Sequence, residues 1–347
     1  MPMRLRLDFF LRWVVFFLIF GLGLAGCTPP GISASQWQGY KSRFITSDGR
    51  VIDTGNGNVS HSEGQGFGML LAVAMDDKQT FEKIWQWTRS NLQVRRDHLF
   101  MWRRRPKVPV AQEDRNNATD GDILIAWALL EGAGRWPSAP SLKQQAMLIL
   151  SDIKARLIRQ WRHQPVLLPG EQGFEHDSVL TINLSYWVFP ALKRFSEEDP
   201  DPVWRQLTES GLQLLEEARF GRWQLPPDWL GLKDKPVLPD HHPPVFGYNA
   251  VRIPLYLLWA GYQEADLFEP YLAFWNHTDD FMPAWTNLRN NCMDSYDAPP
   301  GFKAIHALIR KQIKHQWWRL PSASKDDNYY SASLTLLSRL ALMHGRT

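Results

Sequence analysis

The sequence predicts an all-helical protein in which helices come in consecutive pairs and close into a ring of hairpins. Apolar residues recur at i, i+3, i+4 and i+7 along most of the chain. Alternating, strand-like patterns are scarce, and Pro and Gly gather in long polar connections instead of interrupting the periodic segments.

In order, the spacing predicts helices over Phe81–Leu92, Asp120–Glu131, Leu142–Trp161, Leu184–Phe195, Pro202–Ala218, Ala250–Tyr262 and Asn328–Met343. The connections LPGEQGFEHDS (168–178), QLPPDWLGLKDKPVLPDHHPP (224–244) and DAPPGF (297–302) are read as loops. Connections of that length inside a compact domain are either functional or disordered, and Trp-bearing ones are rarely disordered. Neither a low-complexity linker nor a composition shift follows residue 36, so residues 37–347 are expected to form one domain.

Ahead of that domain, Arg4, Arg6 and Arg12 precede an apolar run from Trp13 to Gly26. Its 14 residues fall short of the roughly 20 that span a bilayer, so residues 1–26 are read as an export signal. Leu24-Ala25-Gly26-Cys27 resembles the lipobox of bacterial lipoproteins, with Cys27 the lipidated residue and 27–36 the tether. A plain cleaved signal or an uncleaved anchor are the alternatives. All three place the body outside the cytoplasm, and the lipoprotein reading places it in the periplasm on the outer membrane, held to the membrane only through the lipid. Cys292 is the one other cysteine; with Cys27 lipidated no disulfide can form, and Cys292 is expected to be a small buried hydrophobe.

The formal charge is +3, of which the signal carries +2, so about +1 remains and nucleic acid is not an expected partner. With 17 Trp among the residues, aromatics exceed what core packing ordinarily uses, which points to a flat, partly apolar ligand.

Candidate chemistry begins at SEGQGFGM (62–69), where Glu63 is followed by glycines at 64, 66 and 68. The carboxylate can belong to a capping arrangement. Alternatively, the glycines strip side chains from one side of it and leave a bare wall for a bulky substrate. In NNATDGDILIAWALL (116–130), Asp120 and Asp122 flank a glycine ahead of an almost wholly apolar helix. Capping accounts for one or two of these polar residues; it does not require two acids at that spacing. His241-His242 lack a third and fourth ligand at recognisable spacing, so no metal or other cofactor is expected. Arg103–Arg105 read as a solvated face, and no phosphate loop, Ser-His-Asp order or nucleophile elbow is present.

Separated carboxylates, abundant Trp and an all-helical ring suit glycoside hydrolysis, which needs a general acid and a base or nucleophile on either side of the scissile bond. The resemblance then becomes specific. SEGQGFGM, NNATDGDILIAWALL, NLSYW (183–187), FGYNAVRIPLYLLWAG (246–261) and DNYYSASLTLL (327–337) resemble, in order and spacing, the motifs of glycoside hydrolase family 8 from about Trp37 to Leu340.

That resemblance implies an (α/α)6 barrel with a cleft across one end, and inverting, endo-acting hydrolysis of β-1,4-linked glucan. It is similar to the endoglucanases associated with bacterial cellulose synthesis, which makes the synthesis machinery an implied partner beside the polysaccharide itself; chitosan or xylan are alternative substrates. Glu63 matches the general acid and Asp120 the acid that grips and distorts the sugar beside the cleavage point. Tyr186, Tyr248, Arg252 and Tyr330 match residues lining that subsite, and Trp102 a stacking aromatic, the alternative for Trp102 being a buried core tryptophan.

One position departs from the pattern. Many members carry Tyr-Asp-Ala-x-Arg, whose Asp is the catalytic base, where this chain has Tyr248-Asn249-Ala250-Val251-Arg252. A carboxamide cannot deprotonate water. The base is therefore unassigned, with loop acids Asp177, Asp240, Asp294 and Asp297 as candidates and Asp177 the first of them; the contrary reading is a glycan-binding lipoprotein that has lost hydrolysis.

Overall fold

The computed structural model describes residues 31–176, 178–316 and 319–344. The export signal, Cys27 and Asp177 lie outside the described residues.

Eleven α-helices account for about half of the described chain. They are α1 (Ala34–Phe44), α2 (Ser62–Ala74), α3 (Lys78–Asn91), α4 (Thr119–Arg135), α5 (Pro140–Leu157), α6 (Phe189–Glu198), α7 (Val203–Glu217), α8 (Arg252–Ala260), α9 (Ala265–Trp275), α10 (Pro300–Gln312) and α11 (Tyr329–His344). Helices α2, α4, α6, α8 and α11 pack one on the next, and α11 returns to α2, so they form a closed inner ring. Helices α2, α4, α8 and α11 are apolar on nearly every side, as a helix must be when neighbours surround it, while α6 buries one stripe, Phe189 to Leu192 and Phe195. Around them α3 packs on α2, α5 on α4 and α7 on α6, while α10 bridges α9 and α11. The outer helices keep one buried stripe; in α3 it is Phe81, Ile84, Trp85, Trp87 and Thr88. This is the barrel of paired helices expected for an (α/α)6 fold.

Four small antiparallel sheets decorate one end. Strand β1 (Ser60–His61) pairs with β2 (Arg103–Arg104), β3 (Ile158–Trp161) with β4 (Gln164–Leu167), and β9 (Val245–Phe246) with β10 (Thr286–Asn287). The largest runs β5 (Glu175–His176), β6 (Val179–Ile182), β7 (Leu230–Leu232), β8 (Pro236–Val237).

Several expectations are corrected. The helix expected to continue to Trp161 stops at Leu157, because Ile158–Trp161 pairs with Gln164–Leu167 around a two-residue turn in which Arg162 and His163 take φ of 47° and 65°. The one expected from Leu184 starts at Phe189: Asn183 accepts from the Ser185 amide and holds a 3-10 turn first. Helices α1, α2, α9 and α10 were not signalled by spacing; α9 carries Pro270 in its interior and α10 begins inside the segment read as a loop. Cys292 is exposed, not a buried hydrophobe, since its segment turns on the Asn287 and Asn290 side chains at the surface.

The glycines after Glu63 are not a bare wall for substrate. They lie inside α2 and let other helices approach its backbone: a Cβ on Gly66 would stand 2.5 Å from Leu124 Cβ, and one on Gly68 would stand 2.9 Å from Val51 Cγ2. Across the contact, a Cβ on Gly121 would overlap the Ser62 side chain. Inner helices α2 and α4 therefore approach closely through two glycines, Gly66 against Leu124 and Gly121 against Ser62.

Gly66→Ala should lower stability by about 1–3 kcal/mol, the usual cost of overpacking. Gly134→Ala, in the same α4 but with open space around its Cβ, should be neutral or stabilising by up to about 1 kcal/mol. Denaturant unfolding of the two variants measures the contrast; equal effects would refute the close-packing account.

Candidate active site

The N-terminal ends of the inner helices all open on the same end of the barrel. Glu63 is in the first turn of α2, Asp120 in the first turn of α4, Arg252 opens α8, Tyr330 opens α11 and Tyr186 stands just ahead of α6. First-turn acids are favoured there by the helix dipole; Asp120 keeps Oδ1 on the Gly121 amide of its own helix at 2.8 Å and turns Oδ2 to Arg252, while Glu63 reaches Arg252 rather than its own helix end.

Arg252 is the hub. It is 2% exposed, and its Nη1 donates to Glu63 Oε1 and, at 2.9 Å, to Asp120 Oδ2. Nη2 donates to Ser185 Oγ at 2.9 Å and to Asn249 Oδ1 at 3.1 Å. The Tyr186 ring lies over the guanidinium at 5.7 Å. Burial acts to lower the Arg252 pKa, but Glu63 and Asp120 outweigh it and hold the group well above its usual value. Asp120 is pushed up by its own burial and by Glu63, against the pull of Arg252.

Glu63 does not cap α2. His61 does, its Nδ1 accepting from Gly64 N at 3.0 Å, while Gln65 turns inward to Val51 N and Thr88 Oγ1. With Nδ1 accepting, the ring hydrogen of neutral His61 sits on Nε2, facing Asp53 Oδ2 at 3.4 Å. Glu63 thus keeps one oxygen on Arg252 and the other 3.7 Å from His61.

Tyr330 donates to the Tyr248 carbonyl at 2.6 Å, and Tyr248 is 43% exposed with its hydroxyl 3.4 Å from that of Tyr296, so these rings form one side of the mouth. On the other side Trp102 is half-buried. Its indole donates to Asp114 Oδ2 at 3.0 Å, and Arg103 covers one ring face at 4.2 Å. Its carbonyl accepts from Ser62 N at 3.0 Å, directly beside Glu63. The structure therefore brings Glu63, Asp120, Tyr186, Tyr248, Asn249, Arg252, Tyr330 and Trp102 to one end of the barrel.

The loop acids are placed elsewhere. Asp240 is exposed and paired with Arg289, and Asp297 pairs with Lys303 and accepts from Met282 N. Asp294 is buried and accepts from the Ala284 and Trp285 amides. None of the three bonds to Arg252, Glu63 or Asp120. Among the described residues no group of three His, Cys, Asp or Glu is placed to hold a metal ion; His242 is engaged in stacking on Trp229 at 4.6 Å.

Sequence reasoning passed over Asn183, Ser185, His61 and Asp228. Asn183 and Ser185 sit inside the quoted NLSYW and share the Asn249–Arg252 network. Asp228 is buried under the 247–250 turn, its Oδ1 accepting from Gly247, Asn249 and Ala250 amides at 2.9, 3.2 and 2.8 Å. Only its position in a Pro-flanked loop hinted at this. A cavity of about 470 Å³ lies at the opposite end of the barrel, between Trp127, Trp259 and Leu340, far from these groups.

Comparison with known proteins gives the family and the fold. The family model of the glycosyl hydrolases family 8 matches residues 19–344. The chain belongs to glycoside hydrolase family 8. It is 39% identical over 320 residues to a "Probable endoglucanase" of Novacetimonas hansenii, covering 90% of this chain and 91% of that protein. An endoglucanase of Cellulomonas uda is 40% identical over 283 residues, 81% of this chain and 78% of its own. Among solved structures, the endo-beta-1,4-glucanase CMCax from Acetobacter xylinum superposes with a TM-score of 0.85 at 38% identity, over 92% of this chain and 100% of that one.

Burial raises the Asp228 pKa above its ordinary value, its backbone hydrogen bonds opposing. A folded-state carboxyl pKa above the unfolded one means the folded state loses relative stability as pH rises from about 4 through that raised value. Asp228→Asn keeps the accepting oxygen and removes the ionisation. Its stability relative to wild type should therefore increase between pH 4 and pH 7 in paired thermal melts; a pH-independent difference would contradict the assignment.

Proposed function

We propose that the protein is an endo-acting β-1,4-glucanase that hydrolyses cellulose-type chains with inversion, Glu63 being the general acid. The observation that carries this is the Arg252 hub, which sets Glu63 and Asp120 on one side of the guanidinium and Asn249 on the other. Sharing one nitrogen, Glu63 and Asp120 lie within about two hydrogen-bond lengths, ~6 Å. That is less than the roughly 6.5–9.5 Å an inverting pair needs to admit water. Asp120 accordingly serves the sugar, holding and distorting it, and Arg252, Tyr186 and Tyr330 line the same subsite while Trp102 and Tyr248 offer ring faces. Across the guanidinium, Asn249 stands at most roughly 8 Å from Glu63 (two hydrogen bonds and the fork), where the water belongs.

Asn249 cannot take that water's proton, so another carboxylate does. Asp240 and Asp297 are committed to Arg289 and Lys303, which leaves Asp177 and Asp294 of the loop acids as the first to replace, together with Asp228, which accepts from the Asn249 backbone amide at 3.2 Å. Names of the relatives support glucan as substrate, and a panel of glucan, chitosan and xylan tests it. Asn249 also favours a second reading, a glycan-binding protein without turnover. That reading expects no reducing sugar from carboxymethylcellulose and a gain of hydrolysis in Asn249→Asp.

Glu63→Gln should keep the fold and oligosaccharide binding while turnover falls by at least about a hundredfold, the scale of lost general acid catalysis. NMR of fresh wild-type products should show the α-anomer first. Near-normal turnover in the variant, or β-product first, would overturn the mechanism.

The N-terminal motif supports export and anchoring through lipid on Cys27, at the periplasmic face of the outer membrane, beside cellulose synthesis. No helix among the described residues is long and apolar enough to cross a membrane. Cys27→Ser should move the protein out of the membrane fraction; unchanged fractionation would leave the apolar segment as the anchor.

A further inference from the structure

Asp122 is fully buried in α4, two residues on from Asp120 and so on a different side of the helix, and the proposed hydrolysis gives it no task. It caps nothing. Its Oδ1 accepts from the Phe100 amide at 2.8 Å and its Oδ2 from Asn117 Nδ2 at 2.7 Å. Asn117 in turn accepts, through Oδ1, from the Glu171 amide at 2.8 Å. One carboxylate thus links three chain segments that meet nowhere in sequence.

Two of those segments carry an aromatic ring near the groups of the site. The segment from Phe100 leads two residues on to Trp102, whose amide donates to the Asn116 carbonyl at 2.9 Å. The segment from Glu171 leads to Phe174, stacked on Trp229 at 5.8 Å and 11°, and Trp229 meets Tyr186 edge-on at 6.5 Å. Further bonds run between the same segments: Asn116 exchanges two hydrogen bonds with Gln172, and Thr119 donates to the Pro169 and Leu168 carbonyls. Gly170 sits so close that a Cβ there would stand 2.6 Å from the Asn117 carbonyl oxygen.

We propose that Asp122 is a positioning residue, which through Asn117 and the Phe100 amide holds the Trp102 strand and the Phe174 loop at the spacing a multi-unit glycan requires. The role rests on the glucanase reading for its substrate, but the clamp itself is a property of the fold. Burial pushes the Asp122 carboxyl up to about 7. The ionised form nonetheless suits the clamp, since both oxygens accept and neither has a proton to direct elsewhere. Arg95, whose charge acts on Asp122 from the 93–99 segment, opposes the shift, and Asp120 on the same helix adds to it.

The pairing is one acceptor against one donor, so it can be reversed. Asp122→Asn sets an amide donor against the Asn117 amide, and Asn117→Asp sets a second buried carboxylate against the first. Either change leaves a buried polar group unmet, which costs enough to loosen both segments. Making the two changes together restores one donor facing one acceptor. The Glu171 amide then meets a carboxylate oxygen and the Phe100 amide a carboxamide oxygen.

The test compares wild type, both single variants and the exchanged pair. Hydrogen exchange of residues 99–102 and 168–174 should rise in each single variant and return to the wild-type level in the exchanged pair. On cellohexaose, KM should rise about tenfold or more in the single variants with kcat changed less, and the exchanged pair should come back to within about threefold. Should a single variant fail to fold, recovery in the exchanged pair still reads the pairing. Wild-type exchange rates in the single variants, or an exchanged pair that stays loose or unfolded, would overturn the inference. A wild type without hydrolysis but with the expected exchange pattern would instead sink the glucanase reading.

Discussion

A cation buried to 2% exposure cannot stand alone in a protein interior, and Arg252 is satisfied only because the ring of inner helices closes. Its partners come from α2, α4, the 183–187 segment and its own helix start, that is, from positions 63, 120, 185 and 249. Removing any one wall would leave charge or hydrogen-bonding capacity unmet in a low-dielectric site. Ring closure and charge balance are thus one condition, and the catalytic geometry is its by-product.

The glycine contacts between α2 and α4 make that condition attainable. Gly66 lies against Leu124 and Gly121 against Ser62, so the two helix axes come closer than side chains at those positions would permit. Glu63 and Asp120, each a short step from those contacts, then reach the same guanidinium nitrogen. Closeness explains a division of labour between the two acids. Carboxylates that share one nitrogen leave no room for a water between them, and under the proposed inverting mechanism the water would enter on the far side of Arg252, next to Asn249.

Away from the hub, the site depends on backbone carried by loops rather than by helices. Asp228 holds the 247–250 turn from below through three amides, and Asn183 fixes both Ser185 and the Asn249 side chain. Trp102 and Phe174 belong to segments stitched at Asn116, Asn117 and Thr119. Such loops supply ring faces that can adapt to a polymer, while the acids stay on rigid helices.

What the sequence determined by itself was the helical ring, which follows from local apolar spacing; Glu63, Asp120, Arg252, Tyr186 and Tyr330 were singled out through the resemblance of their motifs to those of family 8. Helices α3, α4 and α7 were legible because they bury one face or all faces at a 3.6-residue period. Helix α2 was not: three glycines in seven residues give no helical spacing and have poor helix propensity, which packing against Leu124 and Val51 offsets. The stop at Leu157 was equally hidden, since Ile158–Trp161 fits a helical stripe until a partner strand competes for its backbone. Only the tertiary structure decided that Asp122 faces Phe100 and Asn117, that Asp228 braces the turn bearing Asn249, and that Asp240 and Asp297 are spent on surface ion pairs. Each of those outcomes depends on which groups distant in sequence arrive within hydrogen-bonding reach, and no local pattern in the chain encodes that distance.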